Sequence, residues 1–409
     1  GASEYVKDGL MPLTEYLGPS PWADRMMAIM DDVWARANVE TESGALPSLN
    51  VEVNGEQLQV LSRLYWMTGE QKYLDWAMRL GDYYLLGDHH PTRDFEALRL
   101  NDHGCEIVSG LCELYASVHF ARPEKKAEYR DGIHEMLDRI LEVGRNEHGL
   151  FYVSVNPRTG AILEDRVRDN WGYNYNGYYT VYSLDGKAAY RDALLQVFSH
   201  LDNYRDYDWE SGSADGFADA IEGCLNLYNR EPAEGVEEWL DSETRIMWSL
   251  QDSSYRSNAL QWKDQGIIEG WHGDGNFART TIMYCLWKSQ GTTVFPWRED
   301  LLLGAHLEGQ DPEDQTLHIA LQAEEDWSGR LAFDIPRSEL HLHMPLDWPR
   351  INQFPEWFTV RLDKKYMVSF GHSDHTIGIT RNYSGKELAM GIALTLAKGE
   401  LMQITVSEQ

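Results

Sequence analysis

Apolar residues recur at spacings of three and four through residues 22 to 290, the mark of helices with one buried face. Over 22–37 the stripe is Trp22, Met26, Ile29, Val33 and Ala37; over 124–143 it is Ile133, Met136, Leu137, Ile140 and Leu141. Tyr190, Leu194, Val197 and Leu201 form one over 187–201, and Val236, Trp239, Leu240, Met247 and Leu250 form one over 233–250. A further stripe runs over about 71–86. Between these lie runs that are apolar on most sides, at 54–67, 103–120, 173–184, 216–229 and 275–289, with small residues such as Gly110, Ala116, Ala218 and Ala220. A helix apolar all round is a buried helix. The pattern therefore predicts inner helices alternating with outer ones.

Each inner run follows a polar stretch with Asp or Asn ahead of a Gly. These are Val53-Asn54-Gly55, Asn101-Asp102-His103-Gly104, Asp169-Asn170-Trp171-Gly172, Ala214-Asp215-Gly216 and Gly273-Asp274-Gly275. Connectors from inner to outer helix are short: Thr68-Gly69-Glu70, Arg122-Pro123, Asp185-Gly186 and Glu231-Pro232. Connectors from outer to inner are long, at 38–53, 87–101, 144–172, 202–215 and 251–274. Long loops in compact domains are usually functional or disordered. These are full of Trp, Tyr, His and Asp, which argues for order. A ring of helical hairpins would gather all of them at one end, and repeats that send insertions to one face generally bind there. Five hairpins are visible, so residues 1–20 either supply a sixth or leave the ring incomplete.

The pattern changes near Gly291, and Pro296 closes the last helical stretch. Alternating runs follow at Leu301–Leu307, Thr316–Gln322, Arg330–Ile335, Glu339–Met344, Trp357–Leu362, Tyr366–Phe370, Glu387–Ala397 and Glu400–Val406. Period-two alternation between turn residues predicts an antiparallel β-sandwich. The expected domains are 1–291 and 292–409.

A formal charge of −30 argues against nucleic acid and against anionic membrane surfaces as partners. No run is long and apolar enough to span a membrane. The four cysteines, Cys105, Cys112, Cys224 and Cys285, sit among apolar neighbours without a CxxC pair, so buried free thiols are expected and no metal ribbon. There is no GxGxxG, P-loop or GxSxG, so neither a nucleotide cofactor nor an α/β-hydrolase is indicated.

The alternating helices, the turn Thr68-Gly69-Glu70 with Tyr73-Leu74 behind it, and the trailing β-region together resemble (α/α)-barrel carbohydrate-active enzymes over residues 22 to 290. The two-part layout is similar to that of bacterial β-L-arabinofuranosidases. Asp169-Asn170-Trp171 and Trp271-His272-Gly273-Asp274-Gly275-Asn276 resemble loops of barrel enzymes acting on uronic acids, such as unsaturated glucuronyl hydrolases and exo-acting β-glucuronidases. The resemblance implies a mainly α plus β chain: an (α/α)6-type helical barrel, then an antiparallel β-sandwich. It implies a glycoside hydrolase, exo-acting on uronic-acid-containing glycans, with an oligosaccharide or polysaccharide as substrate; the motifs and the placement of the histidines give no sign of a cofactor or metal. The arabinofuranosidases' zinc-bound cysteine cluster has no counterpart in the cysteine spacing here.

Glycoside hydrolysis needs two carboxyl groups across the bond, one protonated and one charged. Asp102, Asp169, Asp215 and Asp274 would ring the barrel mouth, although each is also a natural helix N-cap. Asp215, Asp219 and Glu222 share one helix face. On an inner helix they would form a buried acidic stripe with a raised pKa, or pair with an Arg of the next inner helix. His272 is a candidate base, and His103 holds the matching place in an earlier loop. Trp171, Tyr173, Tyr175, Trp209 and Trp271 could stack on sugar; Asn170, Asn174 and Asn276 could bond hydroxyls; Arg279, with Arg99, Arg166 and Arg168, could grip a carboxylate or merely neutralise the acids. The competing readings are a polysaccharide lyase, with His272 or Tyr173 as base and Arg279 or Asn276 on the uronate, a sugar epimerase, and a non-catalytic glycan-binding protein.

Overall fold

The computed structural model describes residues 2–251, 273–309, 314–350, 353–372 and 377–409. The chain divides into two compact units, Gly1–Thr280 with His341–Phe354, and Thr281–Leu340 with Pro355–Gln409. It is mostly helical, with antiparallel sheets. Among the described residues no helix is long and apolar enough to cross a membrane.

The first unit opens with α1 (Ala2–Glu4), a π-helical segment (Tyr5–Leu10) and α2 (Met11–Leu17) in one run. α3 (Pro21–Ala35) starts where Ser20 Oγ accepts the Ala23 N–H and Pro21 fills the first helical position. Then come α4 (Val51–Thr68), α5 (Gln71–Gly81), α6 (Glu106–Ala121), α7 (Pro123–Val143), α8 (Trp171–Asp185), α9 (Ala188–Phe198), α10 (Ala214–Tyr228), α11 (Val236–Ser249) and α12 (Gly273–Lys288). α4 packs on α6, α6 on α8 and α8 on α10, while α5, α7, α9 and α11 each cover the inner helix before them. The N-terminal run lies against α4 and carries α3 as its outer neighbour. Residues 1–20 were open in the sequence between a sixth hairpin and a gap; the run of 2–17 takes an inner place. The tight turns after α4 and α8 use Gly69 and Gly186 in the left-handed conformation that ends helices.

The glycines of two polar stretches do something other than turn the chain. α4 begins at Val51, capped by the Asn50 side chain on the Val53 N–H at 3.0 Å, so Asn54-Gly55 lies inside the helix. A Cβ on Gly55 would stand 2.4 Å from the Glu106 carbonyl carbon, and one on Gly110 would stand 2.5 Å from the Gly55 oxygen. Gly172 and Gly223 meet in the same way, a Cβ on Gly172 falling 2.6 Å from Gly223 Cα. Neighbouring inner helices thus touch backbone to backbone.

The long loops carry secondary structure of their own. β1 (Leu98–Arg99), β2 (Tyr152–Asn156) and β3 (Ala161–Val167) form a three-stranded antiparallel sheet within connectors expected to be irregular.

In the second unit β4 (Thr292–Phe295), β7 (Trp327–Phe333) and β10 (Ile392–Leu396) make one antiparallel sheet in the order β10-β7-β4. β5 (Leu301–Glu308), β6 (Thr316–Ala323), β8 (Lys365–His372), β9 (Ile377–Ser384) and β11 (Leu401–Glu408) make another, in the order β5-β6-β11-β8-β9. Val294, Leu331 and Leu394 of the first share one apolar cluster with Leu317, Ile319, Val368 and Ile404 of the second. Two expected strands are absent from 339–344 and 357–362; a short helix, α13 (Arg337–Leu340), overlaps the first. The strand expected from Glu387 begins only at Ile392, because Ser384 and Glu387 form a capping box that starts α14 (Gly385–Met390).

The glycine contacts can be tested directly. Gly110→Ala and Gly172→Ala should each lower stability by about 1–3 kcal/mol or more, because backbone must move to admit the methyl group. Gly275→Ala, in α12 with no described atom within 4 Å of its Cβ, should be neutral or stabilising by up to about 1 kcal/mol. Urea midpoints followed by far-ultraviolet circular dichroism decide the matter; equal midpoints for all three variants would refute the tight contacts.

Candidate active site

Carboxyl groups converge where α8 and α10 begin. Asp169 directly precedes Asn170, the residue at the head of α8, and is only 4% exposed. Asp215 lies in the first turn of α10. It does not cap that helix, since Ser213 Oγ accepts the Gly216 N–H at 3.0 Å. Asp219 follows one turn later on the same face, and Glu222 a turn deeper, fully buried. Glu210 joins them from a short 3-10 turn, Trp209–Gly212, in which Glu210, Ser211 and Gly212 have φ of 44°, 62° and 70°. Two non-glycine residues in left-handed backbone store strain of order 1–3 kcal/mol each. The buried Trp209 anchors the turn, and Ser213 donates to Glu210 Oε2 at 3.1 Å.

The crowding sets the protonation states. Burial, then the Glu210 carboxylate and Asp215, push the Asp169 carboxyl from its ordinary 3.8 up to about 8, with Arg168 opposing. Burial and Asp215 also raise Glu210. Loss of solvent raises Asp219 well above the usual range, helped by Asp169, Asp215 and Glu222 and opposed by Arg279. Removing charge from water disfavours ionisation, and each ionised neighbour disfavours the next.

Amide and hydroxyl groups fix these carboxyls in place. Asn170 donates through Nδ2 to Asp219 Oδ2 at 2.9 Å, and its Oδ1 accepts the Asp102 N–H at 2.5 Å. Tyr173 donates to Asp219 Oδ1 at 2.8 Å. Asn276, from α12, donates to Asp215 Oδ1. Arg279 donates through Nε to Glu222 at 2.9 Å, and Thr280 donates to the same oxygen at 2.5 Å. Arg279 also lies 3.8 Å from Asp219. Of the two readings of Arg279, neutralising the acids describes its contacts. Arg168 differs: among the described residues it forms no ion pair, and its buried Nε–H has no hydrogen-bond partner.

The structure brings together Asp169, Asn170, Tyr173, Asp215, Asp219, Glu222, Asn276 and Arg279. It places Trp171 elsewhere: the ring is 1% exposed and packs edge-on against Phe198 and Trp239, leaving no face for a sugar. Trp271 and His272 lie outside the described residues, as does the side chain of Asp274. Asp102 and His103 sit on a 3-10 turn (Asp102–Cys105). There Asp102 pairs with Arg99 at 3.0 Å, and His103 faces Glu52 and Glu56 of α4. Deeper on this side, Lys7 pairs with Glu106, which Gln59 also bonds at 2.5 Å. Burial raises the Glu56 carboxyl to about 7, against the pull of Lys7.

Sequence reading missed Glu210, Glu56 and Lys7. For Glu210 the turn residues Ser211-Gly212-Ser213 ahead of Asp215 were the available signal. For the others it was charge at positions that the helical period marks as buried.

No protein-family description matches the chain, and no curated protein does. Several solved structures are similar in fold at low sequence identity. An unsaturated glucuronyl hydrolase variant with dGlcA-Glc-Rha-Glc is 11% identical, covering 69% of this chain and 86% of its own, with a TM-score of 0.48. Cellobiose 2-epimerase from Bacillus thermoamylovorans B4167 is 12% identical over 63% of this chain and 78% of its own, with a TM-score of 0.45. The GH76A α-1,6-mannanase from Salegentibacter sp. HEL1_6 is 13% identical over 61% and 76%, with a TM-score of 0.44.

The raised Asp169 pKa has a sign that can be checked. A carboxyl that binds its proton more tightly when folded adds stability at acid pH, fully present below about 4 and lost as pH rises through about 8. Asp169→Asn keeps the shape and removes the ionisation. The variant should show a shallower fall in Tm between pH 5 and 9 than the parent. Identical slopes would mean that Asp169 titrates normally.

Proposed function

We propose that this chain is a glycan-acting enzyme, and specifically a glycoside hydrolase with Asp169 as general acid. One observation carries the reading: a buried carboxyl that holds its proton to about pH 8 stands among Glu210, Asp215 and Asp219. Unequal environments for neighbouring carboxyls are how such sites separate acid from base. Asp169 would protonate the departing glycosidic oxygen. Asp215, half-exposed at the rim and oriented by Asn276, would be the charged partner that activates water or attacks the sugar.

The helical alternation, with the N-terminal run inside, supports an (α/α)6-type barrel. Two antiparallel sheets on one apolar cluster support a β-sandwich. Catalysis is assigned to the helical domain, 1–291, with 292–409 as its companion. Arg168 supports a preference for uronic acids, since its Nε–H, unpartnered among the described residues, lies beside Asp169 and suits a sugar carboxylate; exo-action rests on the long loops, which would close a pocket.

The structure disfavours Tyr173 as the base of an elimination. Burial and Asp219 hold its hydroxyl well above the ordinary value, and it already donates to that carboxyl, so it is a poor base.

Two measurements test the proposal. Purified protein is incubated with uronic-acid oligosaccharides and with neutral glycosides, while released sugar and ultraviolet absorbance are followed together. Sugar release without new absorbance is expected; rising absorbance would mean β-elimination, and binding without turnover would mean a lectin-like role. Asp169→Asn should lower kcat by about 10²–10⁴-fold, the usual worth of a general acid, and activity should fall above about pH 8. Arg168→Gln should raise KM for uronides by about 10-fold or more while sparing neutral substrates. A uniform loss on both substrate classes would remove the uronate preference and leave the hydrolase reading intact.

A further inference from the structure

A second group of side chains, joined to the acid cluster through the bond from the Asp102 N–H to Asn170, is built like an incomplete coordination sphere. Glu52 and Glu56 lie one turn apart on α4 and so present their carboxylates on one face. The turn Asp102–Cys105 brings His103 over that face. His103 Nδ1 stands 3.7 Å from Glu52 Oε1 and 3.9 Å from Glu56 Oε1, too far for hydrogen bonds. One donor atom from each of the three lies within 4.8 Å of the others.

Glu56 is the independent observation. Its side chain is 1% exposed, and Oε1, the atom nearest the imidazole, has no hydrogen-bond partner among the described residues. A buried carboxylate oxygen left without a partner is costly. Lys7, the nearest buried cation, is already committed to Glu106 and to Asp8 at 3.2 Å. Two ligands each about 2.0–2.2 Å from a tetrahedral Zn2+ lie about 3.4 Å apart, so the two imidazole–carboxylate distances are within a few tenths of an ångström of a metal site, and the carboxylate pair lies within 4.8 Å.

The far side of the imidazole fits as well. Nε2 faces Asp102 Oδ1 at 3.6 Å, and Asp102 is held by Arg99 and, through its N–H, by Asn170. A carboxylate that closes this gap to bond the second nitrogen selects the tautomer whose first nitrogen is free to ligate, a recurring support for metal-bound histidines. A cavity of about 500 Å³ opens beside the group, with Glu52, Arg99 and Gly104 on its wall.

We infer that Glu52, Glu56 and His103 form a divalent-metal site of the imidazole-and-carboxylate kind that takes Zn2+ or Mn2+, with Asp102 as its positioning residue. Three protein ligands leave a coordination position for water or a substrate oxygen. The inference stands apart from the role of Asp169.

The test uses the full chain, stripped with a chelator and dialysed, then titrated with Zn2+ and with Mn2+ by calorimetry, with bound metal counted after equilibrium dialysis. One tight equivalent per chain is expected with at least one of the two ions. Its Kd should rise about 100-fold or more in Glu56→Gln and in His103→Gln, and about 10–100-fold in Asp102→Asn. Asp169→Asn should bind as the parent does. Substitution by Co2+ should give a visible absorption band that His103→Gln abolishes. His103 is half-exposed, so that variant remains informative if Glu56→Gln fails to fold. An acidic chain also binds cations weakly over its surface. Weak binding alone, or a tight equivalent with the same Kd in His103→Gln, would overturn the site.

Discussion

Four buried ion pairs, each between two different segments, tie the first unit together. Lys7 of the N-terminal run pairs with Glu106 of α6, and Arg63 of α4 with Glu113 of α6. Arg279 of α12 pairs with Glu222 of α10, and Arg350, in the returning segment His341–Phe354, with Glu15. Almost none of these side chains reaches solvent. Removing one partner of such a pair typically costs about 3–5 kcal/mol, because the other charge is left uncompensated. The pairs therefore work as registration pins. Each is satisfied only when two segments distant in sequence lie at the right depth beside one another. Arg350 shows this most plainly, since residues 341–354 follow strands of the other unit and still belong to the helical one, where Arg230 also meets Asp347 at 3.0 Å.

The candidate active site is the place where this pairing runs short. Glu222 has Arg279 and Thr280, but among the described residues Asp169, Glu210, Asp215 and Asp219 share only Arg168 and the outer reach of Arg279. The same law that locks the interior elsewhere here forces a proton onto a carboxyl. Asn170, Tyr173 and Asn276 supply hydrogen bonds without charge, so they orient the acids and leave their mutual repulsion in place. Asn170 also ties Asp219 to the backbone of Asp102, which links the acid cluster to the neighbourhood of His103.

Close approach of the backbones makes these short polar contacts attainable. With Gly55 against Gly110 and Gly172 against Gly223, α4 and α6, and likewise α8 and α10, come nearer than any side chain would allow. Long side chains then cross the narrow gap, as Arg63 does to Glu113 through two bonds. The loops that follow inherit a rigid base.

By itself the sequence determined the alternation of helices, the change to strands after Gly291 and the positions of the acidic loops, because these depend on local period and composition. It also placed Asp215, Asp219 and Glu222 on one face, since the helical repeat leaves no choice. The inner place of residues 2–17 became visible only in the fold, because lying inside or outside depends on a neighbour, α4, that the local period does not contain. The strand expected from Glu387 starts late because a capping box, itself local, outweighs apolar alternation when its reciprocal bonds form. Trp171 reads as a sugar platform from its polar neighbours, yet only packing decides that Phe198 and Trp239 enclose it. Glu210 and Glu56 stayed hidden for the same reason: whether a carboxylate is a solvated surface group, a paired charge or a chemical one depends on which distant residues surround it, and burial and partnership belong to the tertiary structure.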